Sequence, residues 1–130
     1  MYKIIIPKFL MVGSLGTITN ATLFYILVDI LGYQPIIISV MGFFIASIQN
    51  YTLNHLWTFA EMTQNIPISI KYYIRYLCVA LLALGVNLMV LQYILVQYRP
   101  DPKVLAHALG ILSGTIINFL GTRAWVFNAK

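Results

Sequence analysis

Ile48-Gln49-Asn50-Tyr51-Thr52-Leu53-Asn54-His55-Leu56-Trp57-Thr58-Phe59 closes a long apolar run, and residues 116–127 repeat it. Ile48, Asn50, Tyr51, His55, Trp57 and Phe59 align with Ile116, Asn118, Phe119, Arg123, Trp125 and Phe127 at a constant offset of 68. A fixed period of this kind marks a duplication. Further out, Lys8-Phe9-Leu10-Met11-Val12 is answered by Arg75-Tyr76-Leu77-Cys78-Val79, and Gly13, Gly16 and Asn20 by Ala80, Ala83 and Asn87, at an offset of 67. One inserted residue in the loop that follows turns 67 into 68. The chain reads as two tandem two-helix units, about residues 8–59 and 75–127, within a single transmembrane domain.

The 130 residues are 61% hydrophobic and 8% charged, where soluble domains carry about 25% charged residues. The expected class is an all-α integral membrane protein. A span needs about 20 mostly apolar residues, and four segments qualify: 8–29, 36–59, 75–97 and 104–127. Almost no soluble domain remains to do chemistry. The net charge of +5 matters through its distribution, which argues for lipid contact and against nucleic acid. Lys3, Lys8, Lys71, Arg75, Arg123 and Lys130 fall on one side of a four-span topology, Arg99 and Lys103 on the other. The positive-inside rule then puts both termini and the central loop in the cytoplasm, with the chain in the cytoplasmic membrane. Basic residues there meet anionic lipid head groups. The first apolar run is too long for a signal core and no small-residue cleavage site follows it, so it is read as a span. The lone Cys78, in mid-span, is expected to pack as a small apolar residue.

Each unit crosses the membrane twice, so the two units are expected to point the same way. The outer turns, Leu31-Gly32-Tyr33-Gln34-Pro35 and Tyr98-Arg99-Pro100-Asp101-Pro102-Lys103, are short and rich in turn formers, which makes each unit a helical hairpin. The stretch from Ala60 to Tyr73 reads as an interfacial linker. Tyr72 and Tyr73 suit an aromatic belt, and Trp57 and Trp125 read as aromatic interface residues. Gly42, Ala46, Asn50 and Asn54 form a stripe at four-residue spacing, with Trp57 beyond; Gly110, Gly114, Asn118, Thr122 and Trp125 form its counterpart. Small residues in such rows let helices approach closely in lipid.

Amides inside a span face a partner helix or a wet cavity, because an unpaired polar group in hydrocarbon costs several kcal/mol. Asn20, Gln49, Asn50, Asn54, Asn87 and Asn118 are therefore either helix-to-helix contacts or hydrogen-bonding partners for the hydroxyls of a sugar. Lys8, His55, Arg75 and Arg123 fall at the inner ends of the spans. They serve topology by snorkelling, or they clamp a phosphate, for which the arginine fork is well suited. His107 reads as a polar anchor. Asp29, Glu61 and Asp101 are the only carboxylates and lie at or outside span ends, so no buried acid is available to shuttle protons. There is no phosphate loop, no metal-ligand spacing and no catalytic set with a soluble scaffold. No cofactor, metal or catalytic residue is expected.

The paired endings (Asn50, Trp57, Phe59; Asn118, Trp125, Phe127), with Lys8-Phe9 before Gly13 and Asn20 and with Arg75-Tyr76 before Asn87, resemble the GtrA-like family of four-span membrane proteins. The match covers nearly the whole chain. The resemblance implies cell-surface polysaccharide synthesis or glycosylation, with flipping of polyprenyl-phosphate-linked sugars as the family's proposed role. Members often end the second span in a basic Asn-Arg pair; this chain has Asn54-His55, while Arg123 keeps the charge in the second unit.

Three readings compete. The first is a translocase with the phosphate on Lys8, Arg75, Arg123 and His55 and the sugar along the asparagines and Gln49. The second is a non-transporting anchor or partner for a membrane glycosyltransferase. The third is a proton-coupled small multidrug exporter, weakened by the lack of a glutamate in the first span. Four helices hardly enclose a sugar unaided, so a homodimer is expected.

Overall fold

The computed structural model describes residues 2–100 and 104–128, and every regular element among them is helical. Helix α1 (Tyr2–Phe24) continues as π1 (Tyr25–Ile30), α2 (Pro35–Leu53) as π2 (Asn54–Thr58), and α4 (Val104–Gly121) as π3 (Thr122–Val126); α3 (Ile70–Gln97) is uninterrupted. The chain divides into two compact units, Met1–Ile68 and Ser69–Lys130. In the first, α1 packs against α2 and π2; in the second, α3 packs against α4 and π3.

The starts and stops follow local chemistry. Gln34 caps α2 by accepting from the Ile37 N–H at 2.8 Å, and Pro35 takes the first helical position, where its missing N–H costs nothing. Gly32 turns the chain between α1 and α2 at φ +76°, a conformation open to a residue without Cβ. Ser69 caps α3 through Tyr72 N–H.

Two continuous helical stretches, Lys3–Ile30 and Ile70–Gln97, are each 28 residues long and apolar enough to span a bilayer. At 1.5 Å per residue they reach about 42 Å, beyond the roughly 30 Å of hydrocarbon. Helices α2 and α4, at 19 and 18 residues, reach about 27 to 28 Å and gain the remainder from π2 and π3. The extra length carries both helices upstream of the spans expected from the sequence. Helix α1 begins at Tyr2, not at Lys8, with Pro7 inside it, and α3 begins at Ile70, not at Arg75. Both helices carry their basic residues on regular turns that run past the apolar zone, so a lysine or arginine does not have to end the helix.

In the first unit the core gathers Phe9, Val12, Tyr51 and Phe59, with the Phe9 and Phe59 rings edge to face at 6.3 Å. In the second, Tyr76, Val79, Ala83, Val126 and Phe127 are buried. Ile4, Met11, Ile18, Leu82, Met89, Leu112 and Ile116 are exposed. Apolar surface on this scale suits contact with lipid. Cys78 belongs with it, being exposed on α3. Asp101 and Lys103 lie outside the described residues, as does Lys130, and the His107 side chain is likewise not described.

Candidate functional site

Each unit places a cation over an indole at its π-helical end. Lys8 Nζ lies 5.2 Å from the Trp57 ring in the first unit, and Arg75 Cζ lies 5.7 Å from the Trp125 ring in the second. Arg75 also lies 5.5 Å from the Tyr72 ring. The sequence placed these residues at like ends of their spans but did not foresee the stacks. A cation held on a ring face keeps its stem ordered and its polar head open to an anion.

The π-helical ends were also unforeseen. In both, the residue after the last turn donates five residues back: Phe59 N–H to Asn54 O at 2.8 Å and Phe127 N–H to Thr122 O at 3.1 Å. Such wide turns recur at functional sites. No composition signal marks them; what the sequence held was the matching offset of residues 54–58 and 122–126.

His55 sits in π2, 5% exposed. Its imidazole hydrogen-bonds the Ile66 backbone, and its carbonyl accepts from Thr63 Oγ1 at 2.7 Å. These two contacts tie π2 to the turn that follows it. Arg123 lies in π3, partly buried.

The amides divide into two groups. Asn20 Oδ1 packs against Gly42, and Asn87 Oδ1 packs against Gly110; a Cβ at either glycine would overlap the amide. Asn50 packs against Gly16 in the same manner. Gln49 accepts from Thr19 Oγ1 at 2.9 Å, joining α1 to α2. These groups work at helix crossings. The remaining pair lies toward the π ends: Asn118 faces Thr122 Oγ1 at 3.5 Å, and Asn54 is 1% exposed. Asn54, expected along a groove, is thus buried. The oxygens Asn50 Oδ1, Asn54 Oδ1, Thr58 Oγ1 and Asn87 Oδ1 are buried without a hydrogen-bond partner.

Concavities of the first unit adjoin some of these residues. A cleft of about 170 Å³ at the π2 end is lined by Lys8, Trp57, Thr58 and Glu61 among others. An open groove along the far half of α1 and π1 is lined by Thr17, Asn20, Ala21, Phe24, Tyr25 and Asp29. Of the predicted sugar contacts, Asn20 lines this groove. Thr58 and Glu61 were missed, although Thr58 continues the four-residue stripe of Asn50 and Asn54. No cluster of metal-ligating side chains occurs among the described residues.

A family model described as GtrA/DPMS, transmembrane domain, matches residues 8–127. The chain is 24% identical over 119 residues to the uncharacterized membrane protein YwcD of Bacillus subtilis (strain 168), covering 92% of this chain and 93% of that one. No solved structure matches.

Proposed function

The chain belongs to the GtrA/DPMS transmembrane-domain family, and from that premise we propose that it moves a polyprenyl-phosphate-linked sugar across the cytoplasmic membrane, for cell-surface polysaccharide synthesis or glycosylation. The observation that carries this reading is the cation seated on an indole in both units, Lys8 on Trp57 and Arg75 on Trp125. A polyprenyl phosphate offers an anion at interface depth attached to a tail that stays in lipid, and each stack presents a cation at such a boundary. The positive-inside rule assigns the basic ends to the cytoplasmic side, where the substrate is made. Lys8 takes the phosphate in the first unit, Arg75 and Arg123 in the second. The sugar follows the polar groove past Asn20. The sequence offers no nucleotide loop, and its nearest acid, Asp29, stands at the far end of the first helical stretch, so flux runs toward whichever leaflet consumes the sugar.

The test uses the purified chain in proteoliposomes with a fluorescent polyprenyl-phosphate sugar. Arg75→Ala with Arg123→Ala is expected to abolish transfer to the outer leaflet while helical content stays as in the wild type. Unchanged transfer would refute the reading.

A second reading, a non-transporting anchor for a membrane glycosyltransferase, draws on the amides. Asn20, Asn50 and Asn87 are packed against glycines, as helix glue would be. It requires that the chain bind such an enzyme yet move no lipid in the same vesicles. A homodimer fits either reading.

A further inference from the structure

The cleft at the π2 end of the first unit has a chemistry that a simple phosphate clamp does not need. Lys8 enters it from α1, Thr58 and Glu61 from π2 and the turn beyond, with Ile4, Trp57 and Met62 as its apolar surround. Thr58 is 3% exposed, and its Oγ1 is buried with no partner. That hydroxyl donates one hydrogen bond and here has nowhere to send it. Lys8 and Glu61 line the same cleft, and neither is engaged in an ion pair among the described residues. Lys8 rests on Trp57 instead.

A bare phosphate in this cleft would gain Lys8 and Thr58 but would be repelled by Glu61. Opposite charges that line one cleft of about 170 Å³ without an ion pair are completed by a ligand that carries both signs. We propose that the cleft binds a zwitterionic head group, its phosphate on Lys8 and the Thr58 hydroxyl, its primary ammonium on Glu61. The second unit has no counterpart chemistry in its sequence: Val126 stands for Thr58 and Ala129 for Glu61. An ammonium beside a phosphate occurs in ethanolamine phospholipids and in lipid phosphates bearing an amino sugar. The inference rests on the translocase reading only where Lys8 is given a phosphate.

Native mass spectrometry of the full chain, released from micelles containing equal phosphatidylethanolamine, phosphatidylcholine and phosphatidylglycerol, reads the preference directly. The wild type is expected to retain the ethanolamine lipid over the other two by roughly tenfold, the factor one charge-assisted hydrogen bond supplies. Glu61→Gln, at an exposed position, should erase the preference without unfolding the protein, and Lys8→Met should weaken retention of all three. A wild type that holds phosphatidylglycerol equally well, or a Glu61→Gln variant that keeps the ethanolamine preference, would overturn the proposal. Displacement by soluble phosphoethanolamine or by glucosamine 1-phosphate then separates the two sources; displacement by neither overturns it as well. Transfer of polyprenyl-phosphate sugar is measured on the same preparations. Head-group preference without transfer sinks the translocase reading alone, and transfer without preference sinks this one alone.

Discussion

The two units share a hairpin, a buried aromatic residue at each of two matched positions and a cation on an indole, but they differ in where they carry polarity. The first helix of the first unit holds Ser14, Thr17, Thr19, Thr22 and Asp29 where that of the second holds Leu81, Leu84, Val86, Met89 and Val96. The π ends repeat the contrast: Asn54 and Thr58 against Thr122 and Val126. A hydroxyl in hydrocarbon must find a partner, and several do: Thr17 donates to Gly13 O at 3.1 Å and Thr19 to Gln49 Oε1. Thr58 does not. Aromatic packing is kept at matched positions in both units, while the buried oxygens without a partner include Asn50, Asn54 and Thr58 in the first unit and Asn87 in the second.

The sharpest way to break the comparison is at the helix crossings. A Cβ on Gly110 would meet the Asn87 backbone oxygen at 2.7 Å as well as its amide, and one on Gly114 would meet Ala83 O at 2.8 Å. A Cβ on Gly42 meets chiefly the Asn20 amide, a side-chain end that can rotate away. Gly110→Ala is therefore expected to cost about 3 kcal/mol and Gly42→Ala about 1 kcal/mol, within the usual range for overpacking. Denaturing-detergent titration followed by circular dichroism measures both. Equal costs would mean that the two crossings are equally tight and that the divergence is confined to polarity.

Next in size is an exchange at the π ends. Val126 is 0% exposed, so Val126→Thr buries a new hydroxyl, expected to cost about 2 kcal/mol if it finds no partner. Thr58→Val removes a buried hydroxyl that has none and is expected to fall within about 1 kcal/mol of neutral, on the stabilising side. The same substitution should weaken retention of an ethanolamine head group. Stability gained where binding is lost is the pattern of a residue kept for a ligand. A destabilised Thr58→Val would show that the hydroxyl serves the fold.

How much of this was legible can be judged at particular residues. The four helices were readable because apolar runs of bilayer length have few other uses, and the offset of 67 or 68 located the second unit from the first. The Asn20 and Asn87 crossings were half legible. Small residues and amides stood at helical spacing, yet whether an amide served a neighbour or a substrate depended on distances between helices. The helix starts at Tyr2 and Ile70 lie upstream of the spans read from Lys8 and Arg75, because a helix ends where its backbone bonds end and not where the apolar run does. The π turns left no mark in composition. Glu61 was set aside for lying beyond the span, and only the fold of the turn, held by Thr63 Oγ1 on His55 O, shows that it lines a cleft with Lys8.

The smallest expected effect tests the feature that the units share most closely. Lys8 stacks on Trp57, whereas Arg75 lies near both Trp125 and Tyr72. A double-mutant cycle of Lys8→Met with Trp57→Leu should return a coupling of about 0.5–1 kcal/mol, the usual worth of an exposed cation–π pair. The cycle of Arg75→Met with Trp125→Leu should return less, because Tyr72 still receives the guanidinium when the indole is gone. Repeating the second cycle on a Tyr72→Leu background should raise its coupling to the value found for the first. If it stays low, Tyr72 is a bystander and the guanidinium owes its place to something other than the rings. The two stacks would then be alike in outline only, and Arg75 would no longer be comparable with Lys8 as a phosphate contact.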